Sequence, residues 1–220
     1  MKNEDKIQFI TRWITEYVKN MPHPAKSLVV GVSGGIDSAL TSTLSSLTGI
    51  NTIAISMPII TTSQGSNLST IHGEWLVKNF TNTKFITIDL TSTYNQFNST
   101  LVDCDQSSDL GFANSKSRLR MVTLYQVAAS QGGIVVGTGN KVEDFGVGFY
   151  TKYGDGGVDI SPIADCNKTE VWELGKELGI LKEIIDAPPT DGLWDDGRTD
   201  EGQLGFDYQA LEDAMKNPNS

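Results

Sequence analysis

The sequence predicts an α/β fold: a single-domain, doubly wound parallel sheet with helices on both faces, spanning residues 1–220. Three observations predict it. Short β-branched runs alternate with stretches of helical periodicity, the pattern of successive βαβ units. Each run stops at glycine, proline or a polar turn. A chain of 220 residues is long enough to bury one such core, and neither a repeat nor a linker divides it.

The elements follow in order. Ile7, Ile10, Ile14, Tyr17 and Val18 recur on one helix face, which Met21-Pro22 ends. Ser27 to Val32 reads as a buried strand, Ser33-Gly34-Gly35 as a turn. From Asp37 onward, Ala39, Leu40, Thr43, Leu44 and Leu47 keep helical spacing, and Gly49 stops it. Thr52 to Met57 is a second strand, halted by Pro58. The polar stretch Ile59 to Asn67 predicts a loop, and Leu68, Ile71, Trp75 and Leu76 mark the next helix. Lys84 to Asp89 gives a third strand and Tyr94 to Leu101 a helix. Residues 103–115 predict a long loop, Ser117 to Ser130 a helix, and Ile134 to Gly137 a fourth strand.

Beyond that strand the pattern changes. Gly137 to Asp159 is glycine-rich with almost no hydrophobic periodicity, and a loop of this length in a compact domain is functional or disordered. Phe145, Phe149, Tyr150 and Tyr153 argue against disorder, on the expectation that such rings are buried. Asn167-Lys168-Thr169-Glu170 then has the form of a capping box that opens a further helix.

Composition narrows the partners. Lys+Arg 17 against Asp+Glu 27 gives a net charge of −10, which argues against nucleic acid. Cys104 and Cys166 have no zinc spacing and read as free thiols of a reducing cytoplasm. The charged N-terminus has no signal-peptide core, and no stretch is apolar enough to span a membrane, so a cytoplasmic protein is expected.

The chemistry concentrates at two places. A strand, a glycine turn and a helix start present free N–H groups and a positive helix end to an anion, most often phosphate. No lysine follows Gly34-Gly35 as a Walker loop demands, and Val32-Ser33 breaks the dinucleotide fingerprint begun at Gly31. Asp37 in the first helical turn beside phosphates makes sense if Mg²⁺ lies between like charges; the plainer alternative is a helix-capping acid. Lys168 opens a helix where a cation opposes the dipole, so it is either a solvated surface lysine or the partner of an anion. Asp159 could simply close a turn. In a parallel sheet such groups converge beyond the carboxyl ends of the strands.

The run Ser33 to Ser38, SGGIDS, resembles the pyrophosphate loop of the N-type ATP pyrophosphatases, a Rossmann-like family. GTGNKVEDFGVGFYTKYGDGGVDISPI, with NSKSRLRM before it and PPTDGLWDDGRTDEGQLGFDY after it, is similar to NAD synthetase of the ammonia-dependent kind, over nearly the whole chain and in the same order. The resemblance implies that deamido-NAD is adenylated by ATP, with release of pyrophosphate, and that ammonia converts the acyl-adenylate to NAD and AMP. It implies ATP contacts from Ser33, Gly34, Gly35, Asp37, Ser38, Thr138, Lys168 and Thr190. It places deamido-NAD on Arg118, with Arg120 as fallback, and on Lys152 and Asp159, and it gives Mg²⁺ to Asp37 and Glu143. Asp37, Lys168 and Asp159 are the catalytic candidates, Asp159 helping to receive a proton from ammonium. A homodimer is implied as well. The family carries a further C-terminal His-Lys pair, whereas the only histidines here are His23 and His72.

Rival readings are a related amidotransferase, a tRNA-thiolating enzyme, or an ATP-sensing module without catalysis. The thiolating relatives carry clustered cysteines and bind a polyanion, against the charge seen here. The short stretch before Leu28 leaves no room for a fused glutaminase, so free ammonia is the expected donor. A sensor has no need of the Glu143, Lys152, Asp159 and Lys168 set. The acid-rich segment Asp191 to Glu201 is either a solvated loop or a lid that orders over ATP.

Overall fold

The computed structural model describes residues 2–60, 63–194 and 196–217. Parts of the segments discussed at 59–67 and 191–201, and the last three residues, fall outside these. The chain opens with α1 (Asn3–Asn20), β1 (Ser27–Gly31), α2 (Ile36–Leu47), β2 (Asn51–Ser56), α3 (Ser63–Asn79) and β3 (Thr83–Thr87). It continues through α4 (Thr91–Val102), α5 (Asp109–Gln131) and β4 (Ile134–Val136) to a π-helical turn, Lys141–Val147. Then come α6 (Lys168–Glu177), α7 (Lys182–Ile185), α8 (Asp200–Leu204) and α9 (Tyr208–Lys216).

The strands form one parallel sheet in the order β3-β2-β1-β4. Alternation along β1 explains the two layers. Leu28 and Val30 turn to one face, where Ile7, Ile10, Ile14 and Val18 of α1 join α2 and α6. Val29 turns to the other, against Met121, Leu124 and Ala128 of α5. Each of the buried Leu, Val, Ile and Met side chains contributes about 1.5–3 kcal/mol relative to exposure. On the first face α2 is enclosed on all sides. Its buried Thr43, Ser45 and Ser46 hydroxyls return to carbonyls of their own helix, at 2.7, 2.8 and 2.8 Å, so the enclosure leaves these donors paired.

Several expected boundaries and faces move. Tyr17 and Leu47 are exposed: Tyr17 lies beside the buried stripe Ile7, Ile10, Ile14 and Val18, and the buried apolar stripe of α2 ends at Leu44. Helix α3 begins inside the expected loop 59–67. Helix α5 begins at Asp109, well inside the expected loop at 103–115: Ser108 caps it by accepting from the Gly111 N–H, and buried Ala113 and the Tyr94 hydroxyl on Phe112 O fix its first turns. The expected loop after β4 contains the π-helical turn. Its rings are not buried: Phe145 and Tyr153 are each 71% exposed and Tyr150 is 48% exposed. Polar straps order the stretch instead. Thr151 Oγ1 donates to Asn114 at 2.7 Å, and Asp155 accepts from Ser117 Oγ at 2.7 Å and from the Thr151 N–H at 3.0 Å. The stretch also extends the sheet edge, through a parallel bridge between Val136 and Ile160.

Candidate active site

The strand order 3-2-1-4 puts a topological switch between β1 and β4, whose exits diverge to α2 and to the π-helical turn. The glycine turn lies at the first exit. Gly34 takes φ +94, a conformation that side chains other than glycine adopt only under strain. Ser33 and Ser38 close the turn: the Ser33 N–H donates to Ser38 Oγ at 3.1 Å, and Ser38 Oγ donates to Gly35 O at 2.9 Å. Ser33 Oγ accepts from the Gly35 N–H at 3.3 Å. Gly35 is the N-cap of α2, so Asp37 falls in its first turn.

At the second exit, Asn140 is buried and bonds in two directions. Its Oδ1 accepts from the N–H groups of Val142 and Glu143, each at 3.1 Å, which opens the π-helical turn, and its Nδ2 donates to Asp37 Oδ1 at 2.9 Å. One side chain thus fixes both exits. The turn carries Glu143 toward Asp37, and such turns recur at functional sites because they re-aim a side chain without breaking the helix. Gly139 meets the Asp144 carboxylate so closely that a Cβ there would collide with it. Burial, reinforced by Asp155 and Glu143, pushes the Asp144 carboxyl up to about 7.

Lys168 joins the two halves. It is 1% exposed, so it is not a surface lysine. Its Nζ donates to Asp37 Oδ2 at 2.6 Å and to Glu143 Oε1 at 2.7 Å. Burial opposes its charge, but Asp37 and Glu143 outweigh that and hold its pKa above the ordinary lysine value. Glu143 is driven the other way: burial first, then the Asp37 charge, raises its carboxyl above the usual range despite Lys168. The capping box exists, with Glu170 accepting from the Asn167 N–H at 2.8 Å.

Three residues that the sequence did not mark complete this centre. The Tyr208 hydroxyl donates to Glu143 Oε1 at 2.6 Å, and the Tyr208 ring centre lies 4.9 Å from Lys168 Nζ. Glu212 accepts from the Thr169 N–H at 2.9 Å and from Thr169 Oγ1 at 2.7 Å, so it satisfies a free donor in the first turn of α6. Asp200 is buried beside Tyr208, its Oδ1 has no hydrogen-bond partner among the described residues, and burial with the Glu143 charge pushes its carboxyl up to about 7. Asp200 and Tyr208 lie inside the quoted run PPTDGLWDDGRTDEGQLGFDY, and the i, i+4 spacing of Tyr208 and Glu212 on one helix face is the signal for Glu212.

The remaining candidates divide. Thr138 is half-buried at the exit of β4, and Thr190 is exposed in the loop between α7 and α8. Arg118, Lys152 and Asp159 form a second locus along α5. Arg118 Nε donates to Lys152 O at 3.0 Å. Two turns further on, the Tyr125 hydroxyl donates to Asp159 Oδ1 at 3.1 Å, while Asp159 Oδ2 accepts from the Val135 N–H at 2.7 Å. Arg120 turns inward instead, its Nε donating to Met57 O at 3.1 Å, so Arg118 is the arginine that faces out.

The whole chain is similar to known proteins. A family described as NAD synthase matches residues 6–219. The NH(3)-dependent NAD(+) synthetase of Carboxydothermus hydrogenoformans is 39% identical over 212 residues, covering 95% of this chain and 84% of the relative. That of Methanosarcina acetivorans is 40% identical over 209 residues, covering 92% and 79%. Among solved structures, the NMN synthetase of Francisella tularensis superposes with a TM-score of 0.89 at 34% identity, covering 98% of this chain and 87% of that one. The NH3-dependent NAD synthetase of Campylobacter jejuni, solved with a nitrate ion, gives 0.78 at 26%, covering 98% and 83%. On a match over residues 6–219, a span that contains the glycine turn, the switch-point acids and the π-helical turn, the chain belongs to the NAD synthase family.

Proposed function

We propose that the protein is an ammonia-dependent NAD synthetase, a ligase that amidates deamido-NAD at the expense of ATP. The observation that carries this reading is Lys168, buried between Asp37 and Glu143 beside an anion-receiving glycine turn. In the first step the nicotinate carboxylate oxygen attacks the α-phosphorus of ATP and the bond to pyrophosphate breaks. The N–H groups at the start of α2 and the Ser33 and Ser38 hydroxyls face the leaving group, with Thr138 and Thr190 toward the nucleotide. In the second step ammonia attacks the acyl carbon, AMP leaves, and the nitrogen gives up a proton. Arg118, Lys152 and Asp159 hold deamido-NAD, and Asp159 is the candidate to receive that proton.

The donor set fits Mg²⁺. Asp37 and Glu143 already hold one ammonium between hard oxygen donors, and Glu143 Oε1 takes both described hydrogen bonds, leaving Oε2 outside them. Among the described residues no cluster of three or more ligands stands ready for a metal, which suits an ion that completes its shell with phosphate oxygens and water. When bound, Mg²⁺ neutralises charge on the leaving pyrophosphate. Lys168 then serves the phosphates. The domain assignment, 1–220 as one NAD synthetase-like unit, belongs to this reading. So do a homodimer, supported by the exposed Phe145, Tyr150 and Tyr153, and a cytoplasmic location, supported by the free thiols of Cys104 and Cys166.

A second reading concerns the acceptor alone. The protein superposes better on the NMN synthetase than on the Campylobacter NAD synthetase, which supports the deamidated mononucleotide as acceptor. One assay tests both: pyrophosphate release from ATP and Mg²⁺ with either acceptor, with and without ammonium. NAD formed in preference to NMN supports the first reading, the reverse preference the second. ATP binding without pyrophosphate release under any acceptor leaves only a sensor.

A further inference from the structure

Helix α9 touches both halves of the polar centre without belonging to either exit of the sheet. Tyr208, 1% exposed, sends its hydroxyl to Glu143 Oε1, the oxygen that Lys168 also holds. One turn later Glu212, 2% exposed, grips the Thr169 N–H and hydroxyl next to Lys168. Two further contacts fix the helix: the Tyr208 and Trp172 rings meet edge to face at 5.8 Å, and Gly146 of the π-helical turn lies so close to Met215 that a Cβ there would come within 2.6 Å of its sulfur. A helix that only covered the core would need none of these polar contacts, since burying a carboxylate and a phenol costs stability unless each is paired.

We infer that α9 is a brace for the catalytic centre, with Tyr208 as the positioning residue for Glu143 and Glu212 as the positioning residue for Lys168. Two donors on one oxygen fix the rotation of the Glu143 carboxylate and commit its other oxygen to the cation side. Removing the tyrosine hydroxyl leaves Lys168 as the only donor to that oxygen among the described residues and lets the carboxylate turn. The effect is on cation affinity first, and on turnover only where the cation is limiting. The inference rests on Glu143 as a cation ligand.

The test compares Tyr208→Phe, Glu212→Ala and Glu143→Gln in the full chain. Phenylalanine keeps the ring against Lys168 and Trp172, so Tyr208→Phe should melt within a few degrees of the parent. Mn²⁺ binding in the presence of ATP, read by electron paramagnetic resonance, should weaken about 10-fold, as supporting partners of metal ligands do. The Mg²⁺ concentration for half-maximal pyrophosphate release should rise by the same factor, with kcat recovered at saturating Mg²⁺. Glu212→Ala, reaching the brace from its other end, should raise the KM for ATP more than it lowers kcat. Unchanged Mn²⁺ binding in Tyr208→Phe, with binding weakened in Glu143→Gln, overturns the brace. Unchanged binding in both overturns the reading of Glu143 itself, and the brace with it.

Discussion

Lys168 and Asp37 stand 131 positions apart in the chain and 2.6 Å apart in space, both largely withdrawn from water. A buried pair of this kind is weak evidence of a stability device, because desolvation offsets most of the attraction, and apolar residues of equal volume often do as well. Here one lysine serves two carboxylates at the switch point of the sheet, which ties the arrangement to chemistry.

Replacement of Lys168 by glutamine removes the charge that lets Asp37 and Glu143 stand together. Breaking a buried pair from one side costs about 3–5 kcal/mol. The variant should melt several degrees lower, regain part of that as Mg²⁺ is added, and lose adenylation by about 100-fold. Thermal melts across a Mg²⁺ series, beside pyrophosphate release, check all three.

Gly34→Ala places a Cβ on a residue at φ +94. The strain should cost about 1–2 kcal/mol, and pyrophosphate release should fall with it because the turn must deform. Gly35 has φ −84, and a Cβ there meets only Ser33 Oγ at an ordinary 3.5 Å, so Gly35→Ala should fold as well as the parent. Equal loss of stability in the two variants, by chemical denaturation, would contradict this account of the turn.

Asp159→Asn should lower NAD formation from the acyl-adenylate more than it lowers pyrophosphate release. Both carboxylate oxygens are engaged, by the Val135 N–H and the Tyr125 hydroxyl, so the variant also loosens the edge of β4. Single-turnover assays of the two steps separate the roles. A parallel loss assigns Asp159 to holding the sheet edge alone.

His72 sets a prediction for acid stability. Buried on α3 with Nε2 3.0 Å from Ser42 Oγ, it has its pKa lowered by burial to about 4, against 6.5 unfolded. The unfolded chain therefore takes up a proton at higher pH than the folded one. The stability this group secures is complete above pH 6.5 and is lost as pH falls toward 4, by roughly 3 kcal/mol. Urea melts of the parent and of His72→Gln over that range should show a shallower decline in the variant.

The sheet was legible because its strands are short, apolar and punctuated, and Asp37, Glu143 and Lys168 because they sit inside recognisable runs. What escaped was set by distant packing. Asn140 was not singled out within its run, and only the fold reveals that its amide bridges two strand exits. Asp200 and Tyr208 lie inside the run PPTDGLWDDGRTDEGQLGFDY and Glu212 just beyond it, but what they touch comes from α6 and the π-helical turn, which approach from far away in sequence. The start of α5 was masked by Gly111, Asn114 and Ser115, weak helix formers locally, which the Ser108 cap and the contact with Tyr94 override. The rings of the 145–153 stretch misled because polar straps can order a loop as firmly as burial.

The contacts of Tyr208 and Glu212 also impose an order in time. Synthesis runs from the N-terminal to the C-terminal side, so the parallel sheet can form while α9 is still inside the exit tunnel. Until residue 212 emerges, Glu143 lacks its phenol and the start of α6 lacks its carboxylate. A nascent or clipped chain can thus own its core and its glycine turn while the centre stays unset, which makes the docking of α9 the step that converts a folded chain into a working one.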